Sequence, residues 1–456
     1  MIEKICVFFP LLFVIELVFG GSGTLIMVQG TAIRHILFVL TFISLYGYML
    51  YDMIRERMPI YSKTRRSYLG DFSKTDIFAV IFELSMLLSM TVIPYVMGTS
   101  LQYAKSEVFD SAAIFSLYFA LTYLIKRNLI SFEKFLVFLK YVICMFGIEH
   151  IVLYFGQELN ANFIENFFEK LVHLFGGNGI VPRVILGHGG YTRVMFNTSI
   201  YFLVGFFIFF YYFNKNKWYD YVIFAIELTA MITTVTKSIW LGAGIAFFAI
   251  IIVCFIYGVK TNKKMAYRAI GTIAFAVIFV LAMDGIVFDN IVKIRMTNAF
   301  VTEVETVEDS ESADSQEEIS LEELDKAGAA ESNSIKIEQM WKLLDKWKTS
   351  PIIGYGYGSY VEGYLRSEEA PFSYEMQLPA LLMKIGIVGL LIWICFFVIQ
   401  FIEIIYNRKR EWIHIFAWLF LLASLVICVQ TNPLLISFTG MSILLFLSIV
   451  TTYENR

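Results

Sequence analysis

Apolar residues in this chain come in long runs separated by short polar stretches, not at alternate positions. About twelve runs approach the roughly 20 residues that a helix needs to cross a bilayer. They lie near 5–19, 31–50, 76–97, 108–125, 132–155, 193–213, 218–236, 238–258, 267–284, 376–405, 411–429 and 433–451. A helix satisfies its own backbone groups in lipid, so each run predicts a transmembrane helix. Every second connection is basic. These connections hold Arg55, Arg57, Lys63, Arg65, Arg66 and Lys74; Lys126, Arg127 and Lys134; Lys215 and Lys217; Lys260, Lys263, Lys264 and Arg268; and Arg408, Lys409 and Arg410. Basic connections face the cytoplasm. Both termini are therefore expected inside, with 156–192 and 285–375 outside. A missed span would reverse the sign of every later loop, so the agreement supports the span count.

Composition narrows the class. The chain is 58% apolar, 17% aromatic and 16% charged, a balance foreign to most water-soluble domains. The net charge of −3 adds little, because the charges are segregated by loop. Cys6, Cys144, Cys254, Cys395 and Cys428 all lie in apolar runs, so neither a structural disulfide nor a zinc site is expected. The first run follows Lys4 but has no small-residue cleavage site, so it is expected to remain as a helix. No internal repeat is evident.

Three parts follow from this pattern: helices one to nine over 1–284, an outer loop over 285–375, and helices ten to twelve over 376–456. Within 156–192, Ile164, Phe167, Phe168, Leu171 and Phe175 predict a short helix on the membrane surface. The second loop carries an acidic tract, 303–325, without Lys or Arg, which is expected to be solvated and mobile. An amphipathic helix over 334–349 should follow, with Ile337, Met340, Trp341, Leu344 and Trp347 on one stripe.

Next comes PIIGYGYGSY. Gly354, Gly356 and Gly358 permit positive φ and close backbone approach, and their free amides can form an anion nest. No strand precedes them and no Lys-Ser/Thr follows, so this is neither a dinucleotide fingerprint nor a nucleotide P-loop. Tyr355, Tyr357 and Tyr360 either stack on sugar rings or close a tight aromatic turn.

The order of these pieces is specific. An amphipathic helix, then Pro351-x-x-Gly354-x-Gly356-x-Gly358, then Glu375 ahead of a helix with Gly386 and Gly389 resembles the O-antigen polymerase and O-antigen ligase family. These are membrane glycosyltransferases that use undecaprenyl-diphosphate-linked sugars. The resemblance implies an all-α polytopic fold of GT-C-like architecture in the bacterial cytoplasmic membrane, with the active site facing the periplasm or the cell exterior.

The resemblance also assigns roles. Thr236 to Gly242 is similar to the family's Ser-Arg-Gly-x-Trp-Leu-Gly segment, whose arginine binds the lipid diphosphate. Lys237 stands in the arginine's place and keeps the charge without the bidentate fork. On its own, Lys237 reads equally as a lysine snorkelling to the outer surface. Arg193, with Phe196 and Asn197, resembles a second family segment. Arg183 and His188 lie just before it and either bind substrate or anchor the interface. Lys336 looks like a further diphosphate cation, or an ordinary solvated charge, and Arg295 is another candidate. Glu375 occupies the place where family members carry His or Glu, which implies a catalytic base; without the family it reads as a carboxylate capping the next helix. Glu368 and Glu369 are the second choices.

The expected reaction joins undecaprenyl-diphosphate-linked repeat units with inversion. Diphosphate is already a good leaving group, so no metal, nucleotide or other cofactor is expected. The expected partners are the lipid-linked donor and acceptor, the bilayer, a flippase and a chain-length regulator, and no nucleic acid. A ligase moving finished polymer to a lipid or protein acceptor is the alternative within the class. A transporter of the same lipids would show inverted repeats and midplane charges.

Overall fold

A computed structural model describes residues 2–20, 27–28, 31–62, 67–159, 170, 183–186, 191–213, 215–258, 262–298, 321–365, 367–406, 412–430 and 434–452. The apolar runs fold as helices: α1 (Ile2–Phe19), α2 (Ile33–Arg55), α3 (Lys74–Met90), α4 (Val92–Met97), α5 (Leu101–Lys126), α6 (Phe132–Glu158), α7 (Tyr201–Tyr211), α8 (Trp218–Thr233), α9 (Lys237–Val253) and α10 (Lys263–Val287). Two helices of the 285–375 connection follow, α11 (Ile291–Thr297) and α12 (Leu321–Lys348), then α13 (Gln377–Tyr406), α14 (Trp412–Gln430) and α15 (Phe438–Thr452). Among the described residues, seven helical segments are long and apolar enough to cross a membrane, and four shorter apolar helices accompany them. The chain is a multi-pass helical membrane protein.

Two short hairpins interrupt the helices. β1 (Met27–Val28) pairs with β2 (Thr31–Ala32), and β3 (Arg183–Leu186) pairs with β4 (Thr192–Met195), both antiparallel. The surface helix expected around 164–175 falls outside the described residues, Lys170 apart, and so do His188 and most of the acidic tract.

The interior is built on aromatic packing. Every residue of α7 is buried, as a helix that is apolar all round must be, and it packs on α6, α8 and α14. Phe206, Phe210, Phe224 and Phe247 interlock across α7, α8 and α9. Part of the basic residue set at the predicted inner ends is paired. Asp52 on α2 accepts from Tyr123 at 2.7 Å and from Arg127 at 3.1 Å. Asp76 on α3 accepts from Tyr118 at 3.0 Å and pairs with Lys126.

The seam that positions the outer loop lies in α13. Gly386 has φ 62° and ψ −172°, which breaks the helix. The break frees the carbonyls of Met383 and Lys384 and the amides of Ile387 and Val388, which a continuous helix would join to one another. The Pro351–Gly356 segment replaces those bonds one for one. The Tyr355 and Gly356 amides donate to Met383 O at 3.0 Å and Lys384 O at 2.7 Å, while Ile387 and Val388 donate to Pro351 O at 2.9 Å and Ile352 O at 3.1 Å. The approach is so close that a Cβ at Gly354 would collide with the Lys384 carbonyl, and one at Gly386 with the Ile352 carbonyl.

Helix α12 departs from the expected 334–349 in two ways. It begins at Leu321, inside the acidic tract, because LEELDKAGAAE is rich in strong helix formers. Its protein-facing side also differs from the expected stripe. Gln339 and Leu343 are buried, whereas Ile337 and Trp341 are exposed. Leu343 packs with Tyr374, Ala380 and Met383 of the chain around the start of α13.

Candidate active site

Two groups of predicted residues are brought together, one at the start of α9 and one between α12 and the start of α13. The first surrounds the start of α9. Arg193 lies on β4, paired across the hairpin with Ile185. Its guanidinium donates from Nε to Thr234 O at 3.1 Å and from an Nη to Thr236 Oγ1 at 3.3 Å. Those acceptors immediately precede Lys237, so Arg193 is tied to the turn that presents Lys237. The Lys237 ammonium donates to Asn298 O at 3.3 Å, just beyond α11. Arg295 on α11 lies over the Tyr191 ring at 5.4 Å. Burial and the nearby Arg295 charge both lower the pKa of Arg193. Arg193, Lys237 and Arg295 are thus linked through the turn before α9 and the end of α11. The Arg183 backbone pairs with Met195 in the same hairpin.

The second group surrounds Glu375. Its carboxylate Oε2 lies 4.0 Å from the Lys336 ammonium on α12, with both side chains about one-third exposed at 30% and 34%. The flanking residues fix its backbone. The Met376 amide donates to Gln339 Oε1 at 2.7 Å, and the Tyr374 hydroxyl accepts from the Val361 amide at 2.7 Å. Burial raises the pKa of that phenol to about 12. Glu375 is thus a carboxylate about one-third exposed, on a firmly held backbone and facing a cation. Glu368 and Glu369 are exposed, with no such frame described for them. Helix α11 packs on α12, which links the element carrying Arg295 to the one carrying Lys336.

The glycine loop is a structural clasp between these elements. Gly354, Gly356 and Gly358 all have positive φ. Gly356 packs against Pro94 and Gly358 against the Ala104 backbone, and the Tyr357 amide donates to Ser89 O at 2.9 Å. The Tyr357 side chain is fully buried, a core position and not a sugar-stacking one. Tyr355 is partly exposed, and the Lys346 ammonium lies 5.1 Å from its ring centre. Burial lowers the pKa of Lys346.

Sequence reasoning missed a buried ion pair that ties the loop together. Lys384 on α13 pairs with Glu107 on α5, with both side chains 3% exposed. Lys384 also donates to Phe372 O at 2.8 Å, and Glu107 Oε2 accepts from the Gly358 amide at 2.6 Å. The signal was present: a lysine within an apolar run requires a partner. Gln339, by contrast, carried no sequence signal.

The O-antigen ligase family matches residues 221–394. This match supports the O-antigen polymerase and ligase family. The family-matching segment contains Lys237, Arg295, Lys336, the glycine loop and Glu375, and it ends within α13 beyond the Gly386 break. Arg193 and Arg183 lie before it. No curated protein and no solved structure matches the chain.

Proposed function

We propose that this O-antigen ligase-family protein is a polysaccharide polymerase joining undecaprenyl-diphosphate-linked oligosaccharide repeat units at the outer face of the bacterial cytoplasmic membrane. The observation that carries the reading is the 4.0 Å approach of Glu375 to Lys336 within the family-matching segment. A base stands there beside a cation suited to a diphosphate.

Glu375 takes the proton from the acceptor hydroxyl as that oxygen attacks the anomeric carbon of the donor. The bond from the anomeric carbon to the diphosphate oxygen breaks, and undecaprenyl diphosphate leaves with the bonding electron pair. Direct displacement inverts the anomeric centre. Charge developing on the leaving diphosphate is met by Lys237, Lys336, Arg193 and Arg295, which are held in place before reaction and need little reorganisation. Tyr355 and Arg183 border the sugar or acceptor path. The glycine loop holds the frame on which Glu375 sits.

The reading is tested by incubating purified protein with lipid-linked repeat units alone. A ladder of longer lipid-linked products is expected. Transfer only after a separate lipid or protein acceptor is added would assign a ligase. Intact substrate under both conditions would overturn glycosyl transfer.

A further inference from the structure

The expected apolar stripe of α12 is wider than the face that packs on protein. Gln339 and Leu343 face inward, and Met340 and Trp347 are partly covered. Ile337 and Trp341 remain 43% and 55% exposed. With Leu344 they form an edge at i, i+4 and i+7 spacing, roughly 150° from the buried side at about 100° per residue. Glu338, Lys342 and Asp345 are exposed on the other flank. Ile335, 49% exposed, lies on that charged flank, and exposed Lys348 falls between Ile337 and Trp341 around the helix at about 100° per residue. The edge is therefore a short strip of an isoleucine, a tryptophan and a lysine, residue types that suit a membrane interface.

The turn after α12 connects that edge to the bilayer-facing surface. Ile352 is 63% exposed, and Ile353 is exposed beside it. The Pro351 and Ile352 carbonyls accept from the amides of Ile387 and Val388, which are themselves exposed at the head of an apolar stripe continuing through Leu391, Ile394 and Val398 on α13. Since α13 is long and apolar enough to cross the membrane, this stripe faces lipid, and the Pro351–Ile353 turn lies at its level. The Gly386 break is about 13 Å along α13 from Gln377 at about 1.5 Å per residue. Irregular backbone is tolerated at such a depth only where its polar groups are satisfied, which the one-for-one exchange across the break provides.

We propose that α12 and the Pro351–Ile353 turn are seated in the lipid leaflet into which the outer end of α13 inserts. Ile337, Trp341, Ile352 and Ile353 enter the lipid and hold Lys336 and Glu375 at headgroup height. The partner is the bilayer surface itself. The seating stands on exposure and continuity with α13; its use in presenting a lipid diphosphate to Lys336 rests on the proposed reaction.

Spin labels test the seating without reference to turnover. Cys395 is exposed on α13 and the other four cysteines are buried, so native protein labelled at Cys395 gives the lipid reference. In a Cys395→Ser background, single labels are placed at Ile337→Cys, Trp341→Cys and Ile352→Cys, with Lys342→Cys as the aqueous control. The full chain is reconstituted in phospholipid vesicles. Labels at 337, 341 and 352 are expected to collide more with oxygen and less with a water-soluble nickel chelate than the label at 342, with 352 nearest the Cys395 value. Ratios at 337, 341 and 352 equal to that at 342 would overturn the seating. An inactive wild-type protein giving the expected label pattern would overturn the proposed reaction and leave the seating intact.

Discussion

Lys237 shows how one residue supports two readings until its neighbours are known. As a lone cation at a helix start it serves either as a membrane anchor or as a phosphate ligand. Its neighbourhood favours the ligand role, because Arg193 is bonded to Thr234 and Thr236 immediately before it and Arg295 approaches Arg193. Gathering cations raises their mutual repulsion, a cost that a bound polyanion relieves. Lys237→Ala is expected to abolish turnover, and Lys237→Arg to retain part of it because the charge survives. Steady-state rates on purified, correctly inserted variants check this, and near-normal turnover in the alanine variant would restore the anchoring role. At this scale the sequence was informative wherever a charge was conspicuous. Lys384 was equally conspicuous in its apolar run, yet its partner Glu107 lies far away in sequence, and only folding reveals the pair. Tyr357 looked like a stacking residue because its burial depends on α3, α4 and α5, which the local pattern does not report.

Most helices were legible because lipid forces long apolar stretches to satisfy their own backbones; the run at 193–213 is an exception, beginning as β4 and becoming α-helical only at Tyr201. Helix α12 was less legible. The expected stripe does not coincide with the buried side, because a hydrophobic pattern does not report which apolar residues pack on protein and which stay exposed. The glycine loop was legible as a place of positive φ and close approach, while its partner was not, since the Gly386 break and the Pro351–Gly356 segment meet through long-range backbone pairing. That pairing makes a prediction. Gly386→Ala must tolerate an unfavourable φ and push against the Ile352 carbonyl, so it should destabilise the protein by more than about 1 kcal/mol. Gly244→Ala on α9 has no positive φ and open space around the added Cβ, so it should cost less. Thermal unfolding of the two detergent-purified variants gives the comparison, and equal midpoints would contradict the seam.

For the whole molecule, the basic connections specify an orientation that the helices alone do not. By the positive-inside rule they predict that the loop containing Glu375 lies outside, where the proposed lipid-linked substrate would be. Glu368 lies in this loop and is exposed. A single cysteine at Glu368, in the Cys395→Ser background, should react with an impermeant reagent added to intact cells. Reaction only after permeabilisation would reverse the orientation of the entire chain.

Glu375, the proposed base, sits on a firmly held backbone beside Lys336 and within the family-matching segment. Glu375→Gln preserves size and most hydrogen bonding but removes basicity, so lipid-linked substrate binding and the thermal midpoint should change little. Turnover should fall roughly 10²–10⁴-fold, the usual contribution of a general base. A carboxylate that merely caps α13 predicts the opposite pattern, with stability lower by about 0.3–1 kcal/mol and turnover unchanged. The most direct test therefore measures lipid-linked substrate binding and product-ladder formation on the same purified Glu375→Gln protein. Retained binding with turnover lost is the predicted result, and a fully active variant would contradict the account.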